Sequence, residues 1–305
     1  MKILVTGVGG QLGYDVVNEL IRRGHQAVGT DIVDREQLNI FDSAAPVATA
    51  PYVKLDITDH DAVNRVMKDE SPDAVIHCAA WTAVDAAEEE ENIQKVRAIN
   101  VGGTQYIADA CKLLDCKMIY ISTDYVFNGR GTEPWKPDCK DYEPLSVYGQ
   151  TKLEGELAVA NTLEKYFIVR IAWVFGVNGN NFVKTMLRLG KKYDTIRVVN
   201  DQIGTPTYTF DLARLLVDMI ESEKYGYYHA TNEGEYISWY DFACEIFKQA
   251  GYSTKVVPVT TKEYGVSKAK RPFNSRLDKS KLKKYKFDEL SDWKESLKHY
   301  LNISM

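Results

Sequence analysis

Tyr148 and Lys152 are the residues of this sequence whose types and spacing most clearly predict chemistry. Residues four positions apart share one face of a helix, so the Lys152 ammonium is expected near the Tyr148 phenol. A phenol has an ordinary pKa near 10, and a neighbouring cation lowers that pKa until the group becomes useful near neutral pH. A hydroxyl from Ser122 or Thr123, at the end of a predicted strand, would complete the polarisation of a carbonyl. These residues predict a proton donor for carbonyl chemistry.

The same spacing occurs a second time, at Tyr264 and Lys268, in a chain that contains 19 tyrosines. This second copy lies far downstream, beyond the alternation of strands and helices, and no strand ending in Ser or Thr precedes it. We interpret the second copy as coincidence and assign the chemistry to Tyr148.

Three glycines, Gly7, Gly10 and Gly13, follow a predicted buried strand and open a predicted helix. Glycine permits a tight turn in which backbone N–H groups and the helix N-terminus approach a pyrophosphate, an approach that side chains would block. A plain strand-to-helix turn is the alternative. The strand before the glycines and the helix after them are the context that a dinucleotide site requires, so we favour such a site.

Asp31 ends the second predicted strand, 24 residues after Gly7. That distance is close to the ~20 residues expected for the acid that hydrogen-bonds the adenosine ribose of a dinucleotide. A turn residue at the end of a strand is the alternative interpretation. Asp31 favours NADH, whereas Arg35, close behind it, could neutralise a 2′-phosphate. We therefore expect either NADPH or NADH as the cofactor.

Two further segments follow predicted strands at the same edge of the sheet. Asp56–Ile57 follows the third strand, at the edge that faces the adenine in a doubly wound fold, and a purely structural role is equally compatible with it. Ala79, Ala80 and Trp81 follow the fourth strand, where small residues let the backbone pass close to a cofactor. Packing between helix and sheet is the alternative for that second segment.

Short β-branched runs alternate with longer helical patterns through the first half of the chain. Strands are predicted at Lys2–Thr6, Gln26–Thr30, Val53–Leu55, Ala74–Cys78, Lys117–Ser122 and Phe167–Ile171, and helices at Gln11–Arg23, Asp59–Asp69, Glu91–Leu114 and Tyr148–Leu163. This alternation predicts an α/β fold, a doubly wound parallel sheet of Rossmann type. We expect an NAD(P)-binding domain at residues 1–170, to which some segments within 195–230 return. Residues 171–305 are expected to form mainly a smaller C-terminal substrate domain.

Charge and composition argue against several classes of function. The formal net charge is −5, which argues against a nucleic-acid partner held through its phosphates. We find no signal peptide, and no stretch approaches the ~18 apolar residues of a membrane helix. The five cysteines are scattered without a Cys-x-x-Cys pair, so we expect reduced thiols in the cytoplasm and no disulfide or metal site.

The sequence resembles the extended short-chain dehydrogenases/reductases, and in finer detail the dTDP-4-dehydrorhamnose reductases. The glycine turn and the Tyr148–Lys152 pair carry the coarser likeness. The finer likeness rests on segments that span most of the chain in the family's order: Ala79–Asp85, Ser122–Phe127, Pro144–Lys152, Arg170–Phe175, Gly179–Met186, Asn200–Thr207 and Arg271–Leu277. The resemblance implies NAD(P)H-dependent reduction of the C4 keto group of dTDP-4-dehydro-L-rhamnose, in the biosynthesis of nucleotide sugars and cell-surface polysaccharide.

The resemblance also implies roles for the residues that would contact the cofactor. Gly10, Gln11 and Leu12 would hold the pyrophosphate, and Asp56–Ile57 would lie on the adenine side. The cofactor cleft would be lined by Ala79, Ala80 and Trp81.

The roles implied for the chemistry and for the sugar nucleotide follow from the same resemblance. Tyr148 would donate the proton, with Lys152 as its partner and Thr123 tuning the transfer. Lys152 would also hold the nicotinamide ribose. The sugar nucleotide would be contacted by Thr123, Asp124, Trp173, Asn181, Gln202 and Arg276.

This sequence departs from the family's pattern in two places. Trp81 stands where many relatives have His. Some relatives are dimers bridged by Mg²⁺ through glutamates, but the matching early position here is Asp15, and residues 189–193 contain no acid. We therefore expect no metal, and a monomer or a weak homodimer.

Two other functions remain open from the sequence. One keeps the chemistry and changes the substrate to another nucleotide-linked 4-keto-deoxysugar. The other is a non-catalytic regulatory subunit of the methionine adenosyltransferase type, which would keep the fold without turnover. The presence of Thr123, Tyr148 and Lys152 favours an enzyme.

Overall fold

The structure is a computed structural model that describes residues 1–265 and 267–305. The strands are β1 Lys2–Thr6, β2 Gln26–Asp31, β3 Tyr52–Lys54, β4 Ala74–His77, β5 Lys117–Thr123, β6 Tyr166–Ile171, β7 Val174–Phe175, β8 Thr195–Val199, β9 Ile203–Gly204, β10 Thr207–Tyr208, β11 Gly226–His229, β12 Ile237–Ser238 and β13 Lys255–Val259. The α-helices are α1 Gln11–Arg22, α2 Pro46–Thr49, α3 His60–Glu70, α4 Glu90–Arg97, α5 Thr104–Leu113, α6 Val147–Thr162, α7 Phe182–Gly190, α8 Thr209–Ile220, α9 Trp239–Ala250, α10 Thr261–Tyr264, α11 Ser280–Lys284 and α12 Trp293–Ser304.

Seven parallel strands form the central sheet in the order β11-β6-β5-β4-β1-β2-β3. The chain runs from β1 outward to β3, returns to β4 on the other side of β1, and then continues outward. This reversal creates a crevice between β1 and β4 at the carboxyl edge, where doubly wound folds bind ligands. The predicted α/β class and Rossmann-type sheet are confirmed.

Helices cover both faces of the sheet because each strand is apolar on both sides. Leu4 and Val5, neighbours on β1, belong to apolar clusters on opposite faces of the sheet, and both are fully buried. Helices α1 and α8 pack together on one face, and α3, α5 and α6 lie on the other. The sheet is therefore a rigid layer that fixes where its strand ends project.

The long predicted helix at Glu91–Leu114 is present but interrupted. Helices α4 and α5 are joined by a π-helical segment at Ala98–Gly103. Inside it, the Asn100 side chain leaves the helix to bind backbone groups of Trp81 and the hydroxyl of Thr151. Insertions of this kind often mark functional sites.

Short sheets and helices after β6 form a layer beside the carboxyl edge. Three two-stranded pairings occur there, β7 with β10, β9 with β12 and β8 with β13. Strand β11, however, joins the central sheet next to β6. On the basis of this arrangement, we propose that residues 1–170 form a cofactor domain and that residues 171–305 form mainly a substrate domain. No helix in the described part of the chain is long and apolar enough to cross a membrane.

Candidate active site

A cavity of about 490 Å³ opens at the carboxyl edge of the sheet, where β1 and β4 diverge. Most of the residues predicted for the site line this cavity together. They are Gly7, Gly10, Gln11, Leu12, Gly13, Asp31, Asp56, Ile57, Ala79, Ala80, Thr123, Asp124, Tyr148, Lys152 and Trp173. The fold thus brings residues from six strand ends and from the start of α6 into one space, which is lined by both the glycine turn and Tyr148.

The glycine turn packs so closely that its side-chain positions must be empty. Gly7 has a left-handed φ of +71°, and its N–H donates to the Thr30 carbonyl at 2.8 Å. A Cβ placed on Gly13 would lie 2.3 Å from the Gly7 carbonyl oxygen. Gly10, the N-cap residue of α1, brings no side chain to the helix end. The first N–H groups of α1 are therefore available to an anion in the cavity.

Asp31 lies at the far end of the cavity, and its carboxylate is held by the turn. One oxygen accepts a hydrogen bond from Gly9 N at 2.9 Å and the other from Ile32 N at 2.8 Å. Arg35 turns away instead. Its guanidinium donates to the carbonyls of Ala48 and Ala50, so it braces the loop between β2 and β3.

Tyr148 stands in the first turn of α6, and two side chains fix that turn. The Ser146 hydroxyl caps the helix by accepting from Gly149 N at 3.1 Å, and a carboxylate oxygen of Glu88 accepts from Val147 N at 2.7 Å. Burial raises the pKa of Tyr148, whereas its hydrogen bond with Thr123 opposes that rise. The phenol is therefore protonated at neutral pH and positioned to give a proton.

Lys152 lies one turn further along α6 and is buried. Its ammonium nitrogen is 4.1 Å from the centroid of the Tyr120 ring. Burial lowers the pKa of Lys152 to about 7, although the charge of Glu156 opposes the shift. The expectation that Lys152 lowers the pKa of Tyr148 is not met, because Thr123 is the group that opposes the effect of burial on the phenol.

A buried ion pair lies directly behind Lys152. Two Arg170 nitrogens donate to the Glu156 carboxylate at 2.8 and 2.7 Å, and both side chains are fully buried. The Ser122 hydroxyl donates to the same carboxylate. The ion pair therefore joins β6 to helix α6, and the Ser122 hydrogen bond ties the end of β5, next to Thr123, to the same carboxylate.

Thr123 and Asp124 form the floor of the cavity at the end of β5. The Thr123 hydroxyl donates to one Asp124 oxygen at 3.0 Å, and the Ser275 hydroxyl donates to the other. Burial raises the pKa of Asp124 to about 6, and both hydroxyls oppose this rise. The two hydroxyls thus stabilise the ionised form of Asp124 against the effect of burial.

Trp173 separates the first cavity from a second one. Its backbone is left-handed, with φ of +52°, a conformation that bulky residues rarely adopt. The Trp173 ring stacks on Trp239 with centroids 3.9 Å apart. Trp239 lines a second cavity of about 450 Å³ beside the first. The stacked indoles therefore form a wall between two spaces.

The second cavity combines aromatic and cationic groups, which suits a base and phosphates. Phe182 and Trp239 supply its aromatic surface, and Arg197 and Arg271 supply positive charge. Arg271 donates to the Tyr125 hydroxyl at 3.0 Å, and the Tyr125 ring packs against that of Tyr148 with centroids 5.4 Å apart. This contact joins the two cavities on the Tyr148 side.

Four predicted residues lie outside the first cavity. Trp81 donates its ring N–H to the Ala83 carbonyl, and Asn181 caps α7. Gln202 lines the second cavity, where it donates to the Thr261 hydroxyl at 2.9 Å, and Arg276 donates to the Asn274 amide oxygen. Each of these contacts is a hydrogen bond within the protein itself. The roles of the four residues in binding cofactor or substrate therefore stay predictions.

The second copy of the tyrosine–lysine spacing lies away from the first cavity. Tyr264 lines the second cavity, and Lys268 forms an ion pair with Glu89 at 2.6 Å. Val266, between them, lies outside the described residues.

Several residues outside the cavity position the site through hydrogen bonds and an ion pair, and they were not identified from the sequence. Asn100, Glu88, Glu156 and Arg170 belong to this group. A polar Asn in the middle of a predicted apolar helix was the only visible signal for Asn100. The Arg170–Glu156 contact joins residues from a strand and a preceding helix, and no sequence pattern predicts such a pairing.

Asp15, at the position matched to a metal-bridging glutamate, is buried within the chain. The Thr209 hydroxyl donates to its carboxylate, and burial raises the pKa of Asp15 to about 7. Lys191 and Lys192 are exposed at the end of α7. In the part of the chain that the structure describes, no cluster of three or more His, Cys, Asp or Glu side chains is placed to hold a metal.

Known proteins resemble this chain over its whole length. A family model described as the RmlD substrate binding domain matches residues 1–305. A dTDP-4-dehydrorhamnose reductase of Aggregatibacter actinomycetemcomitans is 39% identical over 98% of this chain and 97% of its own. The crystal structure of such a reductase from Clostridium acetobutylicum is 42% identical, covers 99% of both chains and gives a TM-score of 0.88. One from Bacillus anthracis, solved in complex with NADP, is 37% identical over 99% of both chains, with a TM-score of 0.87. The chain belongs to the RmlD family of dTDP-4-dehydrorhamnose reductases.

Proposed function

We propose that this protein reduces the C4 keto group of dTDP-4-dehydro-L-rhamnose to give dTDP-L-rhamnose, with NADPH or NADH as the reductant. The observation that carries the proposal is the convergence of Tyr148, Lys152 and Thr123 with the glycine turn on one cavity. The names of the full-length relatives support the choice of substrate.

The first cavity fits a nicotinamide dinucleotide. The glycine turn offers backbone N–H groups where any Cβ at Gly13 would clash, and Asp31 lies where the adenosine ribose would be bound. Lys152, which lines the same cavity, would hold the nicotinamide ribose. When bound, the cofactor supplies the hydride that reduces the sugar carbonyl.

The chain's own contribution to the reduction is a positioned proton and a stabilised charge. Tyr148 would donate its phenolic proton to the C4 oxygen as negative charge develops there. The Lys152 ammonium would stabilise that charge, and the Thr123 hydroxyl would do so once its proton turns from Asp124 toward the phenol. The Glu156 carboxylate keeps more of Lys152 charged at neutral pH than burial alone would allow.

The nucleotide half of the substrate is proposed to lie in the second cavity. Phe182 and Trp239 can stack on the thymine. Arg197 can pair with the diphosphate, and Arg271 can do so by exchanging its ion pair with Asp85, 2.6 Å away, for a phosphate. The sugar would then reach past Trp173 to Tyr148. Because this half takes no part in the chemistry, its binding serves to position the carbonyl.

A direct test separates an enzyme from a regulatory subunit. The purified protein alone, mixed with dTDP-4-dehydro-L-rhamnose, should consume NADPH, measured as loss of absorbance. Cofactor binding without substrate-dependent consumption would favour the regulatory function. We place the reaction in the cytoplasm, where thiols such as the five free cysteines stay reduced.

Replacing Asp31 with Ala should weaken NADH binding more than NADPH binding. Its carboxylate can accept hydrogen bonds from the ribose hydroxyls of NADH but repels a 2′-phosphate. We expect about a tenfold loss in NADH affinity, the effect of one hydrogen bond to a charged group. Arg35 is held by Ala48 and Ala50, so it must turn to pair with a 2′-phosphate.

Fluorescence titration of both cofactors measures this difference. Asp34→Asn serves as the control, since Asp34 is an exposed carboxylate of the same loop. A larger loss for NADPH than for NADH in Asp31→Ala would contradict the assignment.

Chelation of divalent metals should leave the protein unchanged. Asp15 is buried against Thr209, and Lys191 and Lys192 present positive charge where hard oxygen ligands would be needed. EDTA should therefore alter neither turnover nor the sedimentation coefficient. A dimer that dissociates on chelation and re-forms with Mg²⁺ would refute this expectation.

A further inference from the structure

Helix α7 presents two faces to two different parts of the molecule. Phe182, Thr185 and Met186 line the second cavity. Asn181, the N-cap residue of the helix, and Lys184 bind the loop at residues 176–180 that precedes the helix. A shift of that loop would therefore be passed to α7, whose side chains form part of the wall of the second cavity.

Asn178, within this loop, is bound to the glycine turn. Its side chain is 1% exposed, and its amide nitrogen donates to the carbonyls of Gly9 at 2.8 Å and Gly10 at 3.3 Å. Its amide oxygen accepts from Phe41 N at 2.8 Å. The C=O and N–H of a trans peptide point in opposite directions. Holding the Gly10 carbonyl therefore aims the next N–H, that of Gln11, away from Asn178.

Lys184 and Asn181 hold the same loop from the side of the helix. The Lys184 ammonium donates to the carbonyls of Val177 and Gly179, each at 2.7 Å. The Asn181 amide donates to the Gly176 carbonyl at 2.8 Å and to the Gln11 side chain at 3.1 Å. A continuous path of hydrogen bonds thus runs from the glycine turn to α7.

We propose that Asn178 and Lys184 are positioning residues that couple the two cavities. Binding of a dinucleotide orders the glycine turn, Asn178 transmits that order to the loop, and Lys184 transmits it to α7. The second cavity then binds a nucleoside diphosphate more tightly, because the cost of ordering its wall has already been met. Linkage requires that the nucleoside diphosphate tighten dinucleotide binding by the same factor. This inference rests on the assignment of the two cavities under the proposed function.

Calorimetric titration of dTDP, with and without saturating NADP⁺, measures the coupling. In the unmodified protein, NADP⁺ should tighten dTDP binding by at least about fivefold, the lower end of typical couplings. Lys184→Met keeps the aliphatic stem and removes the two hydrogen bonds. The ratio of the dTDP affinities with and without NADP⁺ should then fall to one, whatever the affinity of the variant without NADP⁺. Lys191→Met, at the exposed end of α7, is the matched control and should keep the coupling.

The remaining outcomes separate this inference from the proposed function. If both ligands bind the unmodified protein independently, the coupling is overturned and the cavity assignments stand. If dTDP does not bind at all, the assignment of the second cavity fails and the coupling fails with it. If Lys184→Met weakens dTDP equally with and without NADP⁺, Lys184 is merely structural and the inference is wrong. Should Lys184→Met not fold, Asn178→Ser provides the same test, and full coupling in that variant would contradict the inference.

Discussion

Tyr148→Phe should lower turnover by roughly 10²–10⁴, the usual contribution of a positioned general acid. The substitution removes only the phenolic hydroxyl, so the ring still packs against Tyr125 and the Ser146 cap of α6 is untouched. Binding of NADPH and the thermal midpoint should therefore stay near those of the unmodified protein. Steady-state kinetics with circular dichroism as a check on folding measures the effect.

Two other tyrosines serve as controls for that experiment. Tyr193→Phe changes an exposed ring, 45% accessible, and should leave turnover unchanged. Tyr264→Phe changes a ring that lines the second cavity, away from Lys152 and Thr123, so any effect should fall on the KM of the sugar nucleotide and leave kcat near that of the unmodified protein. Near-normal turnover in a folded Tyr148→Phe protein would disprove the role of Tyr148 as the proton donor.

Arg170→Met should lower the free energy of unfolding by about 3–5 kcal/mol, the cost of leaving one member of a buried ion pair without its partner. The Glu156 carboxylate would remain fully buried after losing both guanidinium hydrogen bonds, with the Ser122 hydroxyl and the nearby charge of Lys152 left to stabilise it. Because the Glu156 carboxylate of α6 is also bound by Ser122 at the end of β5, next to Thr123, we also expect turnover to fall. Urea denaturation monitored by circular dichroism measures the loss of stability.

An exposed pair on the same helix provides the matched control. Arg97 binds Glu154 of α6, and the two side chains are 44% and 23% exposed. Arg97→Met should cost about 0–1 kcal/mol, as surface pairs usually do. The double substitution of Glu156→Gln with Arg170→Met should recover part of the lost stability, because it removes the buried carboxylate that Arg170→Met leaves without its partner. Equal losses in Arg170→Met and Arg97→Met would contradict this account.

The Rossmann half of the fold could be predicted because its signals are local. The apolar run at Lys2–Thr6 and the helical spacing after Gly13 specify β1 and α1 without reference to the rest of the chain. Helix α6 begins at Val147, one residue before the predicted start, since Ser146 takes the cap. Tyr148 and Lys152 fall on one helix, as their spacing requires.

Contacts between distant segments could not be predicted in the same way. Trp173 meets Trp239 from another element, and Asn178 reaches the glycine turn across about 170 positions. Each contact depends on how the second half of the chain packs against the first, which no short pattern encodes. The wall between the cavities and the link through α7 were therefore visible only in the structure.

The pKa values of the site residues could not be predicted from the sequence either. The spacing of Tyr148 and Lys152 suggested that the ammonium lowers the pKa of the phenol. The fold buries both groups instead, which raises the pKa of Tyr148 and lowers that of Lys152 to about 7. Burial depends on the whole tertiary structure, so sequence spacing can place two groups near each other without revealing their charge states.

The most direct test of the proposed reaction is the structure of its product. The purified protein should be supplied with dTDP-4-dehydro-L-rhamnose and NADPH, and the product should be identified by NMR. We predict dTDP-L-rhamnose, formed in equal amount to the NADPH consumed. A talose-configured product would contradict the proposed stereochemistry and leave a reductase, whereas no oxidation of NADPH would contradict the proposed reaction altogether.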